Sequence, residues 1–215
     1  LRARQFAEDA GPLAHPVRPE SYIEIDNFYT ATVYEKGAEV VRMLHTLLGP
    51  EDFRKATDLY FERHDGEAAT VEAFVRAFEE SSGLDLSQFR LWWSQSGTPA
   101  VEVETAYDAA AQTFDITLRQ SCPPTPGQPV KQPFVIPVRL GLVGAGGGDL
   151  PLQLDGENAP QGTTRVLTLT EPERTFRFVQ VAEKPVPSIG RGFSAPVKLN
   201  VPLSRAERAF LMGRD

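Results

Sequence analysis

Tyr29, Thr30, Thr32 and Tyr34 fall within six consecutive residues just ahead of a long run with helical apolar spacing. A plain core helix would place good helix formers in its first turn, because Thr and Tyr lose rotamer freedom there. A helix start that instead crowds hydroxyl donors and aromatic rings points to a site. Other reactive side chains are less well placed. Glu35 and Glu39 share a helix face, but with Lys36 and Arg42 beside them they read as solvated or salt-bridged carboxylates without a chemical role. His15, His45 and His64 are 30 and 19 positions apart, so no helix face offers the i,i+4 imidazole pair of a tetrahedral zinc site. The single Cys122 sits in the Pro-rich run Ser121-Cys122-Pro123-Pro124 and reads as a loop thiol, compatible with a reducing compartment. Gly144 to Gly148 lacks the Lys-Ser/Thr and the following helix of a phosphate loop, and reads as a flexible hairpin turn.

The segment from Asn27 to Leu44, with Val33-Tyr34-Glu35-Lys36-Gly37-Ala38 at its centre, resembles the helix bearing the catalytic tyrosine of zinc aminopeptidases, gluzincin metallopeptidases of the bacterial aminopeptidase N type. The resemblance extends through residues 15–19, 60–66, Trp92-Trp93-Ser94-Gln95-Ser96-Gly97-Thr98-Pro99, 131–133 and 193–199, nearly the whole chain. It implies that Tyr34 donates a hydrogen bond to the oxyanion of the tetrahedral intermediate, and that Tyr29 forms a wall of the pocket for the substrate's N-terminal side chain. The alternative readings are a helix-surface ring for Tyr34 and, weighing evenly with the pocket wall, a core aromatic for Tyr29. Related sequences carry Asn-Asn where this one has Asp26-Asn27, and Asp26 is equally suited to cap the helix.

Such an enzyme also needs His-Glu-x-x-His with a downstream Glu for zinc, and Gly-x-Met-Glu-Asn for the substrate amine. Neither pattern occurs in this sequence. The resemblance therefore implies an internal piece of a larger enzyme, whose zinc ligands and general base lie before Leu1 and which itself holds no zinc. A start at Leu1 instead of Met, and an end inside a helix beginning near Leu203, fit that expectation. The partners implied are peptide substrates and the remaining domains of the parent, in a monomeric, cytoplasmic protein.

Four helices are expected before residue 97. After a lead-in broken by Pro12, Pro16 and Pro19, the apolar set Val33, Val40, Val41, Leu44, Leu47 and Leu48 predicts an amphipathic helix of about 18 residues, stopped by Gly49-Pro50. A second opens at Glu51-Asp52 and closes at Asp65-Gly66; a third runs from a Thr70 cap to Ser82-Gly83. Asp85 and Gln88 predict a capping box for the fourth, which carries Phe89, Trp92 and Trp93 as core and domain-interface anchors. From Ala100 the period becomes two, and six or seven short strands (near residues 101–104, 114–118, 134–143, 166–169, 175–179 and 197–199) predict a β-sandwich.

The fold class expected is thus α+β in two parts: residues 1–97 as the helical end of a thermolysin-like catalytic domain, 98–200 as an immunoglobulin- or fibronectin-like sandwich, and 201–215 as the start of a C-terminal helical domain. At 215 residues, 41% hydrophobic and 24% charged, the chain can bury a sizeable core. Its net charge of −7, with 22 basic against 29 acidic residues, argues against nucleic acid and anionic membranes as partners. No apolar stretch approaches the roughly 20 residues of a membrane span. A different class of reading is an autonomous, non-catalytic binding or scaffold module. A large exposed apolar face would speak for the enzyme piece, and its absence for the module.

Overall fold

A computed structural model describes residues 1–213. Arg214 and Asp215, the end of the expected 201–215 segment, lie outside the described residues. The chain forms two compact units, one of Leu1–Thr98 with Pro123–Phe134, the other of Pro99–Cys122 with residues 135–213.

The first unit is helical and begins earlier than the periodicity suggests. Within the irregular lead-in, Gln5–Asp9 forms a short helix, α1. It escapes sequence reading because polar side chains, Gln5 and Asp9, are the ones it buries. A 3₁₀ turn follows at Ile25–Phe28. Asp26 does not cap it. The Asn27 side chain instead accepts from the backbone N–H groups of Ile23 and Glu24, both at 3.1 Å.

The expected helix from residue 33 opens with a π-helical turn, Thr32–Lys36, in which the Gly37 N–H reaches the Thr32 carbonyl five residues back. α2, Gly37–His64, continues from it. Gly49 breaks α2 at φ 79°, ψ 169°, ahead of Pro50, so the two expected helices meet at a sharp corner. That backbone is open only to glycine. α3, Val71–Ser82, has the expected ends: Thr70 accepts from the Ala73 N–H at 3.1 Å, and Gly83 closes the helix in the left-handed region. α2 and α3 pack through a chain of rings, Tyr60–Phe74–Phe78–Phe53–His45, with successive centroids 5.1, 4.5, 5.3 and 5.1 Å apart.

The last helix is shorter than expected, a 3₁₀ turn at Gln88–Arg90 leading into α4, Leu91–Ser94. The predicted capping box gives way to other partners. Asp85 accepts from the Ser87 N–H at 2.8 Å, and the Gln88 amide donates to the Pro133 carbonyl at 2.9 Å. Residues 123–134 belong to this unit although they lie between two strands of the other. Phe134 packs 4.4 Å from the buried Trp92 ring. Gln95 donates to the Gln132 carbonyl at 2.9 Å and accepts from its N–H at 2.8 Å. Lys131 donates to the Ser96 carbonyl at 2.9 Å.

The second unit is a β-sandwich of eight strands. β1 (Ala100–Asp108), β2 (Thr113–Ser121), β4 (Gln153–Leu154), β6 (Glu173–Val179) and β8 (Lys198–Asn200) form one sheet in the order β4-β6-β2-β1-β8. β3 (Ile136–Val143), β5 (Arg165–Leu169) and β7 (Val186–Ile189) form the other in the order β5-β3-β7. Pairing is antiparallel except between β1 and β8. The period of two is obeyed where it was expected: Val101, Val103, Phe114, Ile116 and Leu118 are buried, while Glu102 and Glu104 face outward. β4 and β7 lie outside the expected set, the first for its two residues and the second for Pro187, which reads as a strand breaker. Gly144 to Asp149 is a hydrogen-bonded turn, with the Gly144 N–H on the Gly148 carbonyl at 2.9 Å. α5, Arg205–Met212, starts at a reciprocal cap between Ser204 and Glu207.

A Cβ at Gly49 would meet nothing within 4 Å, so Gly49→Ala tests backbone strain alone. It should destabilise the protein by about 1–3 kcal/mol, read as a lower midpoint in urea unfolding with an unchanged slope.

Candidate functional site

Along the π turn and the start of α2, burial repeats every four residues at Thr32, Lys36 and Val40, and Tyr34 faces the opposite way. Tyr34 is 59% exposed and Tyr29 67%. Their rings stack at 6.1 Å between centroids with 19° between planes. The structure therefore brings the two tyrosines together as one aromatic surface with two phenol groups. Around them in sequence the chain also exposes Tyr22, Ile23 and Ile25, at 56%, 94% and 65%. Single exposed apolar residues are ordinary; here five fall within thirteen consecutive residues.

The turn that carries Tyr34 is fastened at both ends. At its start, the Thr32 N–H donates to Glu8 Oε1 at 2.8 Å and Gln5 Nε2 donates to Thr32 Oγ1 at 3.3 Å. At its end, Lys36 Nζ donates to Asp9 Oδ2 at 2.8 Å and to the Gly97 carbonyl at 2.9 Å. Asp9 Oδ2 also accepts from Gln5 Nε2 at 2.9 Å and from Thr98 Oγ1 at 3.0 Å, while Oδ1 accepts from the Gly97 N–H at 3.1 Å. Lys36 and Asp9 are fully buried. Burial pushes the Asp9 carboxyl up, but the Lys36 ammonium and the hydrogen bonds from Lys36, Gln5 and Thr98 outweigh it and hold the carboxyl below its ordinary value.

Sequence reasoning placed Lys36 among the solvated charges of the helix face. It turns inward, and Arg42 alone of the two cations pairs with Glu39. Gln5, Glu8 and Asp9 carried no signal of their own, since the residues of the π turn and of the 97–98 segment that Glu8 and Asp9 engage lie 24 to 89 positions away. Lysine is almost never fully buried unless paired, and nothing near position 36 in sequence identifies that pair.

The three histidines occupy separate surroundings. His15 Nδ1 lies 2.8 Å from the Pro16 carbonyl, the His45 ring packs on Phe53, and His64 Nδ1 is 3.3 Å from Glu67. Among the described residues, no three His, Cys, Asp or Glu side chains are grouped so as to hold a metal ion. No described helix is long and apolar enough to cross a membrane.

Comparison with known proteins matches both units. Residues 2–93 match the profile described as "Peptidase family M1 domain", and residues 97–202 the one described as "Domain of unknown function (DUF3458) Ig-like fold". Aminopeptidase N of Caulobacter vibrioides is 55% identical over 215 residues, 100% of this chain and 24% of the relative. Aminopeptidase N of Escherichia coli is 51% identical over 212 residues, 99% of this chain and 24% of the relative. The chain thus spans about a quarter of the length of the curated relatives it matches. Among solved structures, Legionella pneumophila aminopeptidase A in complex with aspartic acid superposes with a TM-score of 0.80 at 27% identity, covering 96% of this chain and 22% of that one.

Because the Asp9 carboxyl is depressed, its contribution to stability is fully present above its unfolded value of about 3.9 and is lost as pH falls through the folded value. Asp9→Asn leaves the Lys36 charge buried and should cost about 3–5 kcal/mol near neutral pH. The gap between variant and wild type in urea unfolding should then narrow as the pH is taken below about 3.9.

Proposed function

We propose that the chain, whose residues 2–93 match the peptidase family M1 profile and residues 97–202 the Ig-like one, is part of an aminopeptidase in which Tyr34 supplies the oxyanion donor. The observation that carries this reading is the exposed, stacked Tyr34–Tyr29 pair standing on a turn fastened at both ends. A phenol on such a support needs no rearrangement at the moment of reaction. When the carbonyl of a substrate's first peptide bond becomes tetrahedral, its oxygen gains negative charge, and a donor already aimed at that position stabilises the new charge more than the ground state. The Tyr34 hydroxyl keeps its proton and donates a hydrogen bond. The Tyr29 ring, packed on it, walls the pocket for the side chain of the residue to be removed.

The zinc on which the family depends does not fit the described residues of this chain, whose histidines are dispersed and whose carboxylates form no three-ligand group. Zinc dependence, the ligands and the general base belong in this reading to the rest of the parent protein, and this chain's part is the phenol and the pocket wall. Residues 1–97 then complete the catalytic domain, 98–200 supply a structural sandwich, and residues from 201 onward lead into a further helical domain. Peptides are the substrates, and the enzyme is a cytoplasmic monomer.

The reading as a self-contained binding module is disfavoured by the exposed Tyr22, Ile23 and Ile25 beside the two tyrosines.

The test is hydrolysis of alanyl and arginyl chromogenic substrates by the intact enzyme. Tyr34→Phe should lower kcat by about 10²- to 10³-fold, with the metal content unchanged. Tyr29→Ala should instead shift KM and the ranking of first residues. An unchanged kcat in Tyr34→Phe removes Tyr34 from the mechanism.

A further inference from the structure

We propose that Lys36, together with Asp9 and Glu8, is a positioning residue for Tyr34, so that the buried polar contacts of α1 set the place of the phenol and not merely the stability of the unit. This inference rests on the assignment of Tyr34 as oxyanion donor.

Three observations carry it. The first is the geometry of the turn. Thr32–Lys36 is a π-helical turn, a rare conformation that occurs mostly as single turns within α-helices and frequently at functional sites. Something outside the turn must hold it. The second is where the holding contacts fall. Glu8 and Gln5 engage Thr32, the first residue, and Asp9 engages Lys36, the last. Tyr34 stands midway, with its own side chain out in the open, so packing of the ring does not fix the backbone beneath it. All three contacts come from one five-residue helix, which makes α1 a brace spanning the turn.

The third observation concerns the kind of contact. A buried ion pair returns little net stability, and an apolar pair of the same volume would serve a core equally well or better. What an ion pair adds is direction. Lys36 Nζ is aimed at Asp9 Oδ2 and the Gly97 carbonyl, and Asp9 accepts from Gln5, Thr98 and the Gly97 N–H. These donors and acceptors admit one register of the turn. A slip of one residue would rotate Lys36 out and carry Tyr34 with it. Reacting groups held by such a support lose about 10²-fold in rate for a displacement of about 1 Å.

The experiment places Glu8→Ala and Lys36→Met separately in the intact enzyme, each with Tyr34 present and with Tyr34→Phe. Lys36→Met strands the Asp9 carboxylate, so Glu8→Ala, at a partly exposed carboxylate, is the variant that keeps the fold; thermal midpoint and metal content are followed for both. With Tyr34 present, kcat should fall by about 10- to 100-fold while KM stays unchanged. In the Tyr34→Phe background, neither variant should lower kcat further, because the donor they position is already gone. Equal losses in both backgrounds, or no loss when Tyr34 is present, overturn the positioning role and leave the contacts as structural. An unchanged kcat in Tyr34→Phe alone removes the donor, and the proposal with it, and is recognised as such because it is seen before any brace variant is added.

Discussion

The buried ion pair between Lys36 and Asp9 is the interaction on which the helical unit turns. It joins the start of the chain to the end of the π turn, and through Gly97 and Thr98 it ties both to the end of the segment that leads into β1. Two charges removed from water are tolerable only if nearly every donor and acceptor on them is satisfied. Here the carboxylate receives four donors and the ammonium gives to two acceptors. Satisfying them fixes three segments far apart in sequence at once. The aromatic chain between α2 and α3, by contrast, supplies apolar burial that tolerates exchange among residues of similar volume.

What could be read from the sequence divides along the same line. Strands β1 and β2 were legible because Val101, Val103, Phe114, Ile116 and Leu118 point inward while their neighbours stay polar, and the period of two has no other cause. The α3 boundaries were legible because Thr70 and Gly83 act through their own backbone neighbours. The misses were decided by distant partners. Gln88 was drawn away from a local cap by the Pro133 carbonyl, α1 exists for contacts with residues 32 and 36, and Lys36 is buried because Asp9 is there. At the candidate site the two tyrosines were legible as a crowded helix start. The brace beneath them was not, since a polar five-residue segment offers no periodicity.

The sandwich shows the complementary economy. Its outward face carries charge pairs across strands, Arg177 with Asp115 and Arg119 with Glu173 in register and Arg119 with Glu104 on the diagonal. Exposed pairs of this kind contribute little energy each. They do keep the outward side of the sheet polar, while Val103, Ile116 and Leu118 fill the other side.

The excursion of residues 123–134 back into the helical unit bears on how the protein is made. Synthesis runs from the N-terminus, and domains generally fold as units while it proceeds. The helical unit is nonetheless incomplete when Thr98 has been joined, because Phe134, which covers Trp92, and Lys131 and Gln132, which tie down Ser96 and Gln95, are added only after β1 and β2. On the ribosome the two units are therefore interleaved in time, and the nascent chain must carry an uncovered indole through the making of the first β-hairpin.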